Sequence, residues 1–296
     1  MEKFRVVTAA FTGSIAVLAL LLFVELAISA YPAIDEFGFR FLIETAWDPV
    51  MEVYGALPFI YGTMMTSAIS LLMAIPLSLG AAVFLTHYVP PKISYALSFL
   101  IEIIAAIPSV IIGLWGIFVL IPWVREGLGP FLIENLGFIP LFRGPVYGPS
   151  LLSGAIILGI MIIPIITSIS KDAINAVPNL QKEGMIALGS TKWESITGIV
   201  LPYSRPGIIG GVMLGLGRAV GETMAITMVI GNTPNISSSL LLPADTLASV
   251  IANQFSEATY QLHTAALIEL GLILFFITIS INIAARLMIR REVPKE

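Results

Sequence analysis

The chain has 296 residues, of which 57% are hydrophobic and 11% charged, with mean hydropathy +0.96 and a formal net charge of −4. That composition excludes a water-soluble globular domain and describes a polytopic membrane protein. The absence of cysteine excludes a disulfide framework, and His87 and His263 lie too far apart in sequence to suggest a local metal site.

Six apolar runs are long enough to span a bilayer, at 8–31, 58–87, 95–121, 149–170, 203–231 and 262–289. The first follows Lys3 and Arg5, and its apolar core is too long for a cleaved signal peptide, so it is expected to be an uncleaved signal anchor. Segment 32–56 is acidic, with Asp35, Glu36, Glu44, Asp48 and Glu52. In the third run Glu102 is followed by Pro108, which removes a backbone donor and is expected to kink the helix. Segment 122–148 is rich in Gly and Pro and is expected to lie along the outer interface, with Trp123 and Tyr147 at headgroup level.

The loop 171–202 carries two short helices by its punctuation. Pro178 and Asn179 start one, and Gly189 is placed to stop it in a left-handed conformation. Thr191-Lys-Trp-Glu194 has the spacing of a capping box that starts the next, with Pro202 expected to end it. Met185, Ile186, Leu188, Trp193 and Ile196 are apolar knobs with two readings. They pack on the ends of this chain's own spans, or a partner protein receives them.

The fifth run, from Pro206 to Gly231, contains Arg218 and Glu222. Ionised side chains at that depth cost several kcal/mol and usually face a bundle interior or a water-filled path. Four residues apart, the two share a helix face with Gly207, Gly211 and Gly215, where a second helix can approach closely. In the sixth run, Glu269 falls at a depth that makes it a candidate partner of Arg218.

With the N-terminus inside, the inner side carries Lys3, Arg5, Lys92, Lys171, Lys182, Lys192, Arg205, Arg286, Arg290, Arg291 and Lys295, against Arg40, Arg125 and Arg143 outside. This asymmetry places both termini in the cytoplasm. The tail from Arg290 reads as a solvated stop signal.

Two regions resemble known proteins. Glu183-Gly-Met-Ile-Ala-Leu-Gly189 followed by Ile199-Val-Leu-Pro202 resembles the EAA loop of ABC importer permeases, with Gly184 where that family usually has Ala. Tyr54-Gly-Ala-Leu-Pro58, Ile107-Pro-Ser109, Gly113-Leu-Trp-Gly116 and Gly217-Arg-Ala-Val-Gly-Glu-Thr-Met-Ala225 resemble the Pst-type phosphate importer permeases, the C-type subunit more than the A-type. The resemblance covers residue 45 to the end of the last span.

It implies an all-α integral membrane protein with six transmembrane helices, the type I ABC importer permease fold and a cytoplasmic coupling helix. Residues 1–56 would form an N-terminal transmembrane helix and outer segment, and 57–290 the transport domain with its coupling loop at 171–202. By match, Glu183 and Gly189 inherit the coupling role. Arg218, Glu222 and Glu269 are the substrate-path candidates, because a guanidinium offers a fork of donors that suits a tetrahedral oxyanion. The implied partners are a second related permease chain, a dimer of ATPase subunits and an extracytoplasmic phosphate-binding protein, in a cell membrane whose lipid surrounds the spans. ATP would be bound by the ATPase, with no cofactor, metal or catalytic residue on this chain.

The residues themselves agree with these exclusions. There is no G-x-x-x-x-G-K-[ST], no H-E-x-x-H and no basic face with interleaved aromatics for nucleic acid. The rival readings are a permease for another oxyanion such as sulfate or molybdate, and an ion-driven secondary transporter, for which an inverted repeat would be expected.

Overall fold

The computed structural model describes residues 2–292, and these are helical apart from loops and one isolated bridge between Asp48 and Val53. Six helices are long and apolar enough to cross a membrane: Val7–Phe37, Leu57–His87, Ser109–Leu136, Leu151–Asn175, Lys192–Gly221 and Gln261–Arg290. Lys295, in the expected basic tail, lies outside the described residues.

The number of spans matches the sequence pattern, but the third and fifth differ in extent. The run at 95–121 is divided at Pro108. Pro91–Ala105 forms a separate helix, and a new one starts at Ser109 and continues to Leu136. Residues 122–136 are therefore span, not an interfacial segment. The fifth span starts at Lys192, ten residues before Pro202, and ends at Gly221, before Glu222.

Three prolines explain both shifts. Pro122, Pro130 and Pro202 each follow a π-helical turn, at Gly116–Leu120, Val124–Leu128 and Ile196–Val200. A proline inside an α-helix lacks an N–H and presses on the carbonyl four residues back. One extra residue in the preceding turn moves that carbonyl aside, so the helix absorbs the proline and continues. Pro202 therefore does not end the helix capped by Thr191.

The fourth span is the hub of the bundle. Every residue from Leu151 to Gly159 is buried, with the second and fifth spans packed against this helix. The fifth is drawn in by its glycine face. A Cβ on Gly207 would come within 2.4 Å of the Ala173 Cβ, one on Gly211 within 3.1 Å of Ile169, and one on Gly215 within 2.9 Å of Ile166. Gly207→Ala is expected to destabilise the chain by roughly 1–3 kcal/mol through overpacking. Gly217→Ala, where nothing lies within 4 Å of the added methyl, is expected to be neutral or to stabilise by up to about 1 kcal/mol from helix propensity. Thermal unfolding of the detergent-solubilised variants measures both, and equal Tm values would refute the close packing.

The first span packs on the sixth, with the Phe23 ring 5.6 Å from Phe275 and 5.8 Å from Phe276. The rest of its apolar surface, including Phe11, Leu18 and Leu22, is open and suited to lipid. At the opposite end from the loop 176–191, Trp47 Nε1 donates to Gln254 Oε1 at 2.9 Å, and Tyr54 stacks on His263 at 5.5 Å. Gly55 is needed here because a Cβ would lie 2.3 Å from the Glu44 carbonyl oxygen. The Tyr54-Gly-Ala-Leu-Pro58 motif is thus a packing device.

Candidate functional site

Arg218 stands in the last turn of the fifth span, where a cation meets the negative end of the helix dipole. Glu222 is the first residue beyond the helix, with extended backbone angles of φ −69° and ψ 129°. Its Oε1 accepts the Ala225 N–H at 3.3 Å, which ties the carboxylate to the short helix Met224–Thr227. Its Oε2 lies 3.9 Å from Arg218 Nη2. The two side chains differ in exposure, at 38% for Arg218 and 8% for Glu222. Glu222 is thus held by the backbone in a fixed place, while the guanidinium leans out from the bundle. At 3.9 Å the contact is too long for a hydrogen bond, so among the described residues the guanidinium donors are uncommitted.

The smooth helix face inferred from the sequence therefore does two things. Its glycines close on the fourth span, and its charges emerge beside that contact rather than within it. The segment behind Glu222 is clamped by the Gly113-Leu-Trp-Gly116 motif. A Cβ on Gly113 would meet Met228 Sδ at 2.5 Å and Ala225 Cα at 3.1 Å, and one on Gly116 would meet Val229 and Ile157 at 2.6 Å. These glycines let the third span press on residues 225–229 and so fix the carboxylate in front of them.

Glu269 does not join the pair. It is buried, makes no ion pair with Arg218, and its Oε2 has no hydrogen-bond partner. It lines a groove with Ile34, Gly38, Leu42 and Phe276, between the end of the first span and the sixth. Its shared depth with Arg218 did not translate into a shared face.

Asp245 escaped the sequence reading. It is buried, its Oδ1 accepts the Thr246 N–H at 2.8 Å, and its carbonyl oxygen lies 1.9 Å from the place a Cβ on Gly62 would take. Nearby, Thr63 Oγ1 accepts the Leu247 N–H at 3.0 Å, and Ser249 donates to Asn232 Oδ1 at 2.9 Å. The signal available was Thr246-x-x-Ser249, an N-cap spacing immediately after an acidic residue.

The second functional region is the loop between the fourth and fifth spans. A helix runs from Asn179 to Ala187, and Gly189 follows with φ +88°. Ser190 N–H donates to the Met185 carbonyl at 3.2 Å and Gly189 N–H to Ile186 at 2.9 Å, the paired closing bonds of a Schellman motif. Thr191 then caps the fifth span, with the reciprocal Glu194 contacts of a capping box. Lys192 Nζ donates to the His87 carbonyl and sits 5.1 Å from the centre of the Tyr88 ring, pinning the loop to the second span. Of the apolar knobs, only Ile196 is buried in this chain, and Met185 is half-buried. Leu188 is 86% exposed, Leu180 82%, and Ile186 and Trp193 are also open. Glu183 is exposed on the same helix. Gly184, the departure from the EAA pattern, leaves that helix intact.

A membrane bundle with a capped helix bearing exposed apolar side chains between its fourth and fifth spans has close relatives. Residues 74–293 match the family described as binding-protein-dependent transport system inner membrane component. The chain belongs to this family. The chain is 48% identical over 288 residues to the phosphate transport system permease protein PstC of Mesorhizobium japonicum, covering 95% of this chain and 88% of the relative. It is 45% identical to PstC of Haemophilus influenzae, covering 97% and 92%. A probable PstC of Methanocaldococcus jannaschii is 38% identical, covering 98% and 94%. Among solved structures, a chain of a bacterial alginate ABC transporter, in complex with an alginate pentasaccharide-bound periplasmic protein, shares 18% identity. It aligns with TM-score 0.64 over 98% of this chain and 96% of its own. A chain of the inward-facing MetNI methionine ABC transporter aligns with TM-score 0.57 over 84% and 100%, at 17% identity. These likenesses show the type I importer permease fold of a multi-pass membrane protein.

Proposed function

We propose that this chain is the C-type permease subunit of an ATP-driven phosphate importer. The observation that carries the reading is Arg218, a half-open guanidinium with uncommitted donors at the end of a membrane span, held beside a buried carboxylate. An arginine in that position does not face lipid; it faces a partner chain or a water-filled path. The 3.9 Å contact leaves the guanidinium fork for the oxyanion, and Glu222 keeps the net charge low so that the ion is released. The phosphate permease relatives support this anion over sulfate or molybdate.

In this reading residues 57–290 form the transport unit, with 1–56 as an added helix and outer segment. The path is completed by a second permease chain, the exposed helix Asn179–Ala187 is received by an ATPase subunit, and a phosphate-binding protein docks outside. ATP is bound and hydrolysed by the ATPase, and this chain performs no covalent step and holds no cofactor. The test is uptake of labelled phosphate by the assembled complex in proteoliposomes. Phosphate uptake undiminished by excess sulfate is expected, whereas uptake driven by sulfate or molybdate alone would overturn the reading.

The charge asymmetry supports cytoplasmic termini and a cytoplasmic coupling loop. The chain has no native cysteine, so single cysteines report cleanly. Lys192→Cys is expected to resist an impermeant thiol reagent applied outside intact cells, and Val50→Cys, in the segment after the first span, is expected to react. The reverse pattern would invert the orientation.

A further inference from the structure

The end of the bundle that carries the coupling helix also holds a cavity of about 380 Å³. It opens between the end of the second span, the helix Pro91–Ala105 and the end of the fourth span. Ser98, Glu102, Lys171 and Asn175 line it, with Leu85 and Phe99 among its apolar walls. The volume falls in the range of small-molecule sites.

Thr86, on its wall, returns its hydroxyl to the Ala82 carbonyl at 2.8 Å, but the other polar groups that matter here are not used by the protein among the described residues. Ser98 is 7% exposed, and its Oγ is buried without a hydrogen-bond partner. A helical serine ordinarily returns its hydroxyl to a carbonyl one turn back, as Ser204 does to Val200 at 2.7 Å. Lys171 and Glu102 face the same space without forming an ion pair, and among the described residues neither side chain has a hydrogen-bond partner. A cation, a hydroxyl and an amide thus converge with one carboxylate. That set suits an anion that also has a hydrogen to give. Lys92, Lys182 and Lys192 stand at the same end of the bundle and add to the positive potential there.

We infer that this cavity is a binding site for a phosphate group, distinct from Arg218 and Glu222. Lys171, Ser98 and Asn175 donate to its oxygens, and Glu102 accepts the remaining hydrogen. Two sources share this chemistry. Inorganic phosphate keeps an O–H at neutral pH that can reach Glu102, and a phosphatidylethanolamine headgroup offers its ammonium instead. The combination of one cation and one carboxylate repeats that of Arg218 and Glu222. The two places are also at different depths. Gly215, one turn before Arg218, meets Ile166 and Ile162, and Lys171 lies five to nine residues further along that helix, roughly 7–13 Å at 1.5 Å per residue. A translocating ion would meet Arg218 first and this cavity on its way out, an order that rests on the chain's passing phosphate. The headgroup source does not depend on it.

The test uses the assembled complex in proteoliposomes containing phosphatidylethanolamine, with Lys171→Gln, Lys171→Arg and Ser98→Ala. If the occupant is the free ion, Lys171→Gln lowers the maximal phosphate uptake rate about tenfold, equivalent to about 1.4 kcal/mol. The concentration of loaded binding protein for half-maximal uptake stays unchanged, ATP hydrolysis is kept, and Lys171→Arg recovers most of the rate. If the occupant is a headgroup, uptake stays normal and the phosphatidylethanolamine retained per complex after delipidation falls in Lys171→Gln and Ser98→Ala. Should Lys171→Gln fail to assemble, Ser98→Ala carries both readouts, because removing that hydroxyl leaves no protein group without a partner. Unchanged uptake together with unchanged bound lipid in both variants overturns the site. An unmodified complex that takes up no phosphate would instead count against the transport reading, with the lipid measurement still deciding this one.

Discussion

Arg218→Gln is expected to abolish phosphate uptake while the complex still assembles in the membrane. An ion pair at 3.9 Å with one partner more than a third exposed contributes on the order of 1 kcal/mol or less to stability. Losing it does not unfold a bundle whose fourth span is buried without a gap from Leu151 to Gly159. The transport role is different in kind, because glutamine keeps two hydrogen-bond donors but loses the charge and the planar fork. It also leaves Glu222 as an unpaired carboxylate in the path of an anion, and repulsion there adds to the loss. Arg218→Lys is expected to recover little, since a point charge does not reproduce a bidentate grip. The double change to Gln at both positions separates the alternatives. If the pair only steadies the helix end, removing both charges restores transport. If Arg218 meets the ion, the double variant assembles and fails. Normal uptake by the double variant at normal expression would sink the assignment.

The second large effect is expected at Gly189. Its φ of +88° is open to glycine and strained for most other residues. A Cβ there touches nothing within 4 Å in this chain, so a substitution acts only through the backbone or through whatever seats on the loop. Gly189→Asp is expected to insert normally yet lose most uptake and most copurifying ATPase. The strain is roughly 1–2 kcal/mol, enough to loosen the Schellman closure that joins Met185 to Ser190. Gly189→Asn has nearly the same shape as Gly189→Asp and meets the same backbone strain, so comparing the two isolates the charge. If Asn retains coupling and Asp does not, a negative group is being rejected by the receiving surface. If both lose it equally, the backbone turn is the requirement. Full ATPase recovery and full uptake by Gly189→Asp would remove the loop from the coupling role.

How much of this was legible in the sequence depends on which physical signal each feature uses. Caps are local, so the Gly189 stop and the Thr191–Glu194 box could be read directly. Apolar length is a strong signal, so six spans were countable. The glycine face at 207, 211 and 215 followed from helical periodicity. Prolines misled the boundaries, because whether Pro122, Pro130 or Pro202 ends a helix depends on whether the preceding turn widens. The end of the fifth span at Gly221 was hidden because residues 224–231 remain apolar after the helix stops. The burial of Ala225 and Val229 comes from the third span pressing through Gly113 and Gly116, a long-range contact that no local pattern carries. For the same reason depth alone could not say that Glu269 faces the first span and not Arg218.

The unbroken helix from Lys192 to Gly221 has a mechanical consequence. Thirty residues at 1.5 Å each make a rod of about 45 Å, with Trp193 near one end and Arg218 near the other. No loop interrupts it, so a push on the exposed knobs beside Thr191 arrives at the guanidinium as tilt or rotation of a single body. The compliant joint nearest the loop is the widened turn at Ile196–Val200, where the hydrogen bonding is looser, followed by Pro206, which lacks an N–H inside the helix. Because that joint lies next to the loop and far from Arg218, the long arm of the lever is on the ion's side. A small stroke at the loop end is therefore amplified into a larger sweep of the charge.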